Sequence, residues 1–281
     1  MSNGPVRLAS LAGQWYPAEA GALSTEIEAC YLDVRGPGRL PVVDPQGERK
    51  IIGMVSPHAG YAYSGAIAAH GFLRLAEDGI PEAAIIIGPR HSYDPTPAIQ
   101  TSGSWRTPLG ESPIHDELAR RIAAGLPEFR DGSEAFADEN TVELQLPLLQ
   151  HVYGESCAIV PIRVVRQDWA ESKQVGDAIA AAAGETDVVI IASSDMTHYE
   201  PPSVAEAQDK ILITLIEKMD PEGLLQTRPE ISMCGRGAVA AMLVAASKLG
   251  ARHAEILKYG HSGEVMSSAE VVGYVSVAVR R

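Results

Sequence analysis

Residues 51–65 read IIGMVSPHAGYAYSG, and this stretch decides the fold. It opens with an almost continuous apolar run, which is typical of a strand covered on both faces. Pro57 disfavours helical backbone at Ser56, and Gly60 permits a sharp turn. We therefore expect a strand, then a tight turn that carries His58, and then a helix.

The same arrangement recurs at two later places in the chain. His91 follows the apolar run of AAIIIGPRHSY, and His198 follows the apolar run of DVVIIASSDMTHY. Parallel strands of an α/β sheet end at one edge, and ligands bind in the crevice beyond that edge. We therefore expect the rings of His58, His91 and His198 to meet in one pocket. Taken singly, each has an ordinary alternative as a structural histidine of a turn.

The rest of the chain alternates between apolar runs and segments with helical spacing. This order predicts an α/β fold, with residues 1–281 as a single domain and a mostly parallel or mixed sheet covered by helices on both faces. Irregular backbone is expected at 35–49, which is rich in Gly and Pro, and at 92–113, with a short strand near 98–101. The predicted strands are 51–56, 84–88, 157–164, 187–192, 253–259 and 270–279, and the predicted helices are 64–77 (with Ser64 as N-cap), 114–124, 141–151, 170–183, 203–218, 221–226 and 235–249.

The charge of the chain argues against two classes of partner. Its 281 residues carry a formal net charge of −13, and Lys and Arg are not clustered. Nucleic acid and anionic membrane surfaces both need a basic footprint, so we expect neither as a partner. No apolar run is long enough to span a bilayer, and the N-terminal stretch lacks the basic and apolar regions of a signal peptide. A cytoplasmic protein is expected.

The three cysteines do not suggest a disulfide framework, because they are odd in number and far apart. Cys30 and Cys157 fit buried structural thiols. Cys234 precedes Gly-Arg-Gly and opens a helical segment, where the helix dipole and the guanidinium of Arg236 would favour a thiolate. Such a thiolate is a metal ligand or a nucleophile, and otherwise Cys234 is a buried small residue. With three histidines, this cysteine makes up a metal-ligand set.

Asp195 lies three residues before His198 in SSDMTHY. A carboxylate beside a histidine fixes its tautomer and raises its basicity, so we expect Asp195 to orient His198 as a general acid/base. The alternative is that Ser193, Ser194 and Asp195 only cap the following turn.

Four further residues are candidates for contact with a ligand. Tyr61 adds a hydroxyl to the first turn, or is a packing residue. Arg90 and Arg236 would pair with an anion. Glu143 is flanked by apolar residues, which favours a buried position that reaches the pocket.

The other histidines have no companions in the predicted elements. His261 lies in a polar loop and stays open, whereas four are interpreted as structural: His70, His115, His151 and His253. The sequence has no phosphate loop, dinucleotide fingerprint, HExxH or GxSxG motif, which removes most common cofactor and hydrolase assignments.

Longer motifs resemble one known family almost from end to end. In order they are AGQWYP, PHAGYAYSG, IIIGPRHS, ENTVELQLPLL, SSDMTHY, CGRG and SGEV…VVGYVSVAV. These motifs are similar to those of the Memo family, the middle component of the three-part proteins called AmmeMemoRadiSam (system protein B). One departure is visible at Asn140, where the family usually has histidine, which puts a role for that helix in metal or substrate binding in doubt.

The resemblance implies a fold like that of class III extradiol dioxygenases, which are non-haem iron enzymes. It implies that His58, His91 and Cys234 line a metal pocket, with His198 as the acid/base and Asp195 beside it. It further implies iron or copper as the metal, and association with AMMECR-like and radical SAM proteins. The animal member is linked to redox signalling and to phosphotyrosine peptides.

Three functions fit these observations. The first is a redox protein in which Fe(II) or copper is bound by the two imidazoles and the thiolate, with open positions. The second is a non-catalytic module that binds a phosphopeptide or small anionic ligand on a dioxygenase-like scaffold. The third is a cysteine-nucleophile hydrolase or transferase that uses Cys234.

Overall fold

The computed structural model describes residues 4–184 and 186–281. The strands are β1 Val6–Leu8, β2 Ile51–Ser56, β3 Ala83–Pro89, β4 Ala98–Ile99, β5 Ser104–Thr107, β6 Gly110–Pro113, β7 Arg130–Asp131, β8 Ala158–Val164, β9 Val188–Ser193, β10 His198–Glu200, β11 His253–His261 and β12 Val271–Arg280. The helices are α1 Ala20–Leu32, α2 Tyr61–Asp78, α3 Asp116–Ala124, α4 Asn140–Glu143, α5 Leu146–Tyr153, α6 Trp169–Ala183, α7 Pro202–Glu217, α8 Pro221–Leu225 and α9 Arg236–Lys248.

One large mixed sheet runs through the molecule. Four of its strands are parallel and lie side by side in the order β2-β9-β3-β8. Antiparallel strands flank them, with β12 beside β2 and β4 beside β8, while β10 and β11 pair with β12. A smaller sheet has the order β1-β5-β6. The α/β class and the mixed sheet predicted from the sequence are confirmed.

Helices cover both faces of the large sheet. Consecutive residues of a strand point to opposite faces, and on β2 the backbone of Gly53 faces Met242 of α9, whereas Met54 faces Gly71 of α2. Every residue of β2, β3 and β9 is buried. Because helices cover both faces of the sheet, these strands are continuous apolar runs and do not alternate between apolar and polar residues.

Two predicted helices differ from the observed ones at their boundaries. The helix expected at 64–77 begins at Tyr61 with Gly60 as its N-cap, and the hydroxyl of Ser64 donates to the carbonyl oxygen of Ala59 instead of capping. The helix expected at 141–151 is divided into α4 and α5. Pro147 explains the division, because proline has no N–H to donate to the carbonyl four residues earlier and its ring clashes there.

Several elements were not predicted from the sequence. Helix α1 and the strands β1, β5, β6, β7 and β10 are short or carry weak apolar periodicity. The stretch 35–49 contains neither helix nor strand, as expected. Within the described part of the chain, no helix combines the length and apolar character needed to cross a membrane.

Candidate functional site

Two histidines and the predicted cysteine meet beyond the carboxyl ends of the parallel strands. His58 follows β2 and His91 follows β3, while Cys234 comes from the segment that precedes α9. One ligand atom from each of the three residues lies within 4.8 Å of the others. The Sγ of Cys234 is 3.2 Å from Nε2 of His58, and the two imidazole rings are 5.1 Å apart. His58 and Cys234, which are 176 positions apart in the sequence, therefore meet at the edge of the sheet where the parallel strands end.

The hydrogen bonds around His58 fix which of its ring nitrogens carries the proton. The hydroxyl of Ser193 donates to the carbonyl oxygen of Thr141 at 2.6 Å, so it accepts from Nδ1–H of His58 at 2.9 Å. The other nitrogen, Nε2, is therefore an unprotonated acceptor that faces Cys234. Burial, then the neighbouring His91 and His198, lower the pKa of His58 well below its usual value, which keeps the ring neutral.

His91 and His198 are held in the same tautomer by different partners. The Nδ1 of His91 lies 3.1 Å from Oδ1 of Asn140, and the Nδ1 of His198 lies 2.7 Å from the carbonyl oxygen of Met196. Both partners are acceptors, so each Nδ1 donates and each Nε2 keeps its lone pair. Burial lowers the pKa of His198, although the carbonyl of Met196 opposes this. Asn140, the position at which the sequence departs from the family pattern, therefore orients His91, which is a candidate metal ligand.

The thiol of Cys234 is in a different environment from the one expected. The residue precedes α9, whose N-cap is Gly235, so it does not open the helix. Burial, then the charge of Asp195, raise the pKa of Cys234, although the backbone N–H of Asp195 donates to its Sγ at 3.2 Å. Desolvation therefore disfavours the thiolate of Cys234 while no metal is bound to it.

Gln167 was missed in the sequence and holds the turn that carries Cys234. Its Nε2 donates to the carbonyl oxygen of Cys234 at 2.7 Å, and its Oε1 accepts from the backbone N–H of Gly237 at 2.9 Å. Gln167 follows β8, the fourth parallel strand. Its position after a strand end, which is what pointed to the histidines, could therefore have identified it as well.

Asp195 does not orient His198 as predicted. Its Oδ1 accepts the backbone N–H of His58 at 2.7 Å, whereas the ring of His198 bonds to the carbonyl of Met196. Burial raises the pKa of Asp195 to about 7, against the effect of the backbone hydrogen bonds from His58 and Ala59. The carboxyl group therefore holds the turn of His58, and it acts on the backbone of that residue.

The raised pKa of Asp195 predicts a pH-dependent stability for the metal-free protein. The folded state binds this proton more tightly than the unfolded chain, so the contribution is full below about pH 4 and is lost as the pH rises through about 7. Between pH 5 and pH 8 we expect the free energy of unfolding of the wild type to fall by a few kcal/mol relative to Asp195→Asn. Urea unfolding of both proteins in the presence of a chelator measures this difference, and parallel pH curves would contradict the assignment.

Tyr61 and Glu143 lie away from the cluster. Tyr61 is buried, its hydroxyl donates to the carbonyl oxygen of Leu144 at 2.7 Å, and its ring stacks on Tyr16. It is therefore a packing residue, which was the alternative expected from the sequence. Glu143 is buried as expected, but it binds the N-terminal segment and not the pocket. It pairs with Arg7 and accepts the hydroxyl of Tyr16 at 2.7 Å.

Neither predicted arginine offers a free guanidinium in the pocket. Arg90 is exposed at the end of β3, outside the lining of the cavity described below. Arg236 borders that cavity, but it donates to the carbonyl oxygens of Thr227 and Ile231. Burial lowers the pKa of Arg236.

An open cavity of about 560 Å³ gives access to the cluster. Its wall includes His91, His198 and Cys234, together with Gln167 and Ser232. Ser232 accepts the backbone N–H of His198 at 3.0 Å. His91, His198 and Cys234 thus line one accessible pocket, and His58 is buried next to Cys234.

The fold and the site define an α/β protein with a His-His-Cys cluster at the carboxyl edge of its parallel strands. The model of the family described as Memo-like protein matches residues 7–278, so the chain belongs to this family. A MEMO1 family protein of Methanopyrus kandleri is 42% identical over 98% of this chain and 99% of its own length. Another, from Thermotoga maritima, is 39% identical over 96% of this chain and 98% of its own length.

A solved structure supports the fold alone. The crystal structure of an uncharacterized protein from Escherichia coli K12 matches with a TM-score of 0.55 at 15% identity. The match covers 82% of this chain and all of that chain. At this identity the two proteins share an architecture, and function must be argued from the site.

Proposed function

We propose that this protein is a metal-dependent redox protein in which His58, His91 and Cys234 bind Fe(II) or copper. The observation that carries the proposal is the shared tautomer of the histidines. In all three rings Nδ1 donates to a protein acceptor, so that Nε2 keeps its lone pair. His58 and His91 each place a ligand atom within 4.8 Å of the thiol of Cys234. Hydrogen bonds that fix the tautomer in this way are a regular feature of metal-binding histidines.

The chemistry of the donor set fits the proposed metals. Neutral imidazoles suit iron and copper, and a thiolate adds a soft ligand that favours copper over the harder cations. Three protein ligands leave coordination positions open toward the cavity. When bound, such a metal would supply one-electron chemistry and a Lewis acid at this edge of the sheet.

The role that we propose for His198 follows from its own contacts. Its ring borders the cavity, and its Nδ1–H is committed to Met196. The free Nε2 can therefore accept a proton from a ligand in the cavity and return it. Asp195 contributes as a positioning residue, because its carboxyl group holds the backbone N–H of His58.

The alternative of a phosphopeptide or anion-binding module is less well supported. It needs a guanidinium that faces the pocket, and the donors of Arg236 are directed to two backbone carbonyls. The contact between Cys234 and His58 also fits a thiol–imidazole nucleophile, which is the third hypothesis. From the family resemblance we propose a cytoplasmic location and association with AMMECR-like and radical SAM proteins.

Elemental analysis tests the main proposal directly. Protein purified without added metal should contain iron or copper, and the metal-free protein should take up a single ion. Alkylation of Cys234 by iodoacetamide should be slow at neutral pH, because burial raises its pKa, and should stop when the metal is bound. Rapid alkylation at neutral pH with no metal uptake would favour the nucleophile instead.

A further inference from the structure

A second recess lies next to His198, and three of its nine lining residues are tyrosines. Its volume is about 260 Å³, and its wall includes Tyr63, Tyr199 and Tyr274. The other lining residues are Ser262, Met266, Ser268, Glu270, Val271 and Val272. Among the described residues that line this recess, none is Lys, Arg or His.

Tyr199 occupies this wall at a cost in backbone strain. Its φ is +59°, a left-handed conformation that is unusual for a bulky residue. Holding such a residue there costs about 1–2 kcal/mol. The residue is nevertheless 71% exposed, so it gains little from burial in return. Backbone strain at Tyr199 that is not offset by burial of its side chain indicates a functional position.

A β-bulge at Tyr199 explains how its ring reaches the recess. The register between β10 and β12 shifts between His198 and Glu200. In a regular strand consecutive side chains point to opposite faces, but the rings of His198 and Tyr199 lie 5.8 Å apart in an edge-to-face arrangement. Bulges re-aim side chains in this way beside functional sites. The local backbone therefore places an aromatic wall directly beside the candidate acid/base.

We propose that this recess binds an organic cation, such as the substituted ammonium group of a ligand. Three tyrosines line this cavity, and aromatic rings of this kind bind quaternary ammonium groups through cation–π attraction. The carboxylate of Glu270 adds a compensating negative charge, and the net charge of −13 attracts cations to the whole molecule. An anion would find no Lys, Arg or His side chain to pair with among the described lining residues. Binding of a cation in this recess does not require a metal at His58, His91 and Cys234.

Choline and its neutral carbon isostere, 3,3-dimethylbutan-1-ol, form a matched pair of probes. They have nearly the same shape and differ in the positive charge. Calorimetric or NMR titration of the full-length protein should give a Kd for choline about tenfold lower than the Kd for the isostere. The same preference in Cys234→Ala would separate the recess from the metal proposal, since that variant lacks the proposed thiolate ligand.

Variants at the wall complete the test. Tyr199→Asn removes the ring while keeping a residue that tolerates the left-handed backbone, and it should raise the Kd for choline about tenfold. Tyr199→Phe keeps the π face and should leave the Kd nearly unchanged. Tyr93, which is fully exposed and outside the recess, supplies the control Tyr93→Asn. Equal affinity for both probes, no binding of either at about 10 mM, or an unchanged Kd in Tyr199→Asn would overturn the proposal.

Discussion

Replacing His58 or Cys234 by alanine should abolish metal binding. Each change removes one of three protein donors, and loss of a residue that only orients a ligand already costs about 10- to 100-fold in metal affinity. We therefore expect a fall of more than about 100-fold for both variants, measured by anaerobic titration with Fe(II) and Cu(I) and by elemental analysis. His58→Ala and Cys234→Ala proteins that bind iron or copper as well as the parent would refute the proposed function.

Two further variants make this result specific. Asn140→Ala leaves the donors in place but removes the acceptor of Nδ1–H of His91, so it should give an intermediate loss of about 10- to 100-fold. His253→Ala removes an exposed imidazole on the edge strand β11 and should leave affinity unchanged. General destabilisation of the fold would not produce this order of metal affinities among the variants.

Glu143→Ala should produce a large loss of stability, although the residue lies outside the site. The carboxylate pairs with buried Arg7 and accepts the backbone N–H groups of Ser10 and Leu11 at 3.0 and 2.9 Å. Removing it leaves the Arg7 charge buried without its counter-ion, which costs about 3–5 kcal/mol. Urea unfolding at pH 7 measures this loss, and a change below about 1 kcal/mol would contradict the interpretation.

The pH dependence of the same pair has a definite sign. Burial opposes ionisation of Glu143, but the charge of Arg7 and the hydrogen bonds of Ser10 and Tyr16 outweigh it and lower the pKa. The stabilisation is therefore present above the unfolded value of 4.5 and is lost as the pH falls. The exposed pair of Glu117 and Arg121 provides a control, because Glu117→Ala should change stability by less than about 0.5 kcal/mol.

The sheet and the meeting of the site residues could both be predicted from the sequence, because both depend on the same pattern of apolar strands. Continuous apolar runs marked β2, β3, β8 and β9, and parallel strands must end together. This placed His58 and His91 in one pocket without any knowledge of strand order. Helix α1 and the small sheet escaped prediction because their apolar periodicity is weak.

Side-chain partners were predicted less well than positions. Asp195 was assigned to His198 from sequence proximity, yet its carboxyl group bonds to the turn of His58, which is 137 residues away. Glu143 was placed in the pocket from its apolar neighbours, yet its partners lie near the N-terminus. Hydrogen bonds between distant segments leave no periodic signal in the sequence, so neither partner could be derived from it.

The anchoring of residues 7–16 by Glu143 has a consequence for biosynthesis. Arg7 is translated 136 positions before the carboxylate that neutralises it. Until then the N-terminal segment has no counter-ion to dock against, and pairings of such long sequence separation form late in folding. We expect the emerging chain to keep this segment open to proteases until Glu143 has been synthesised.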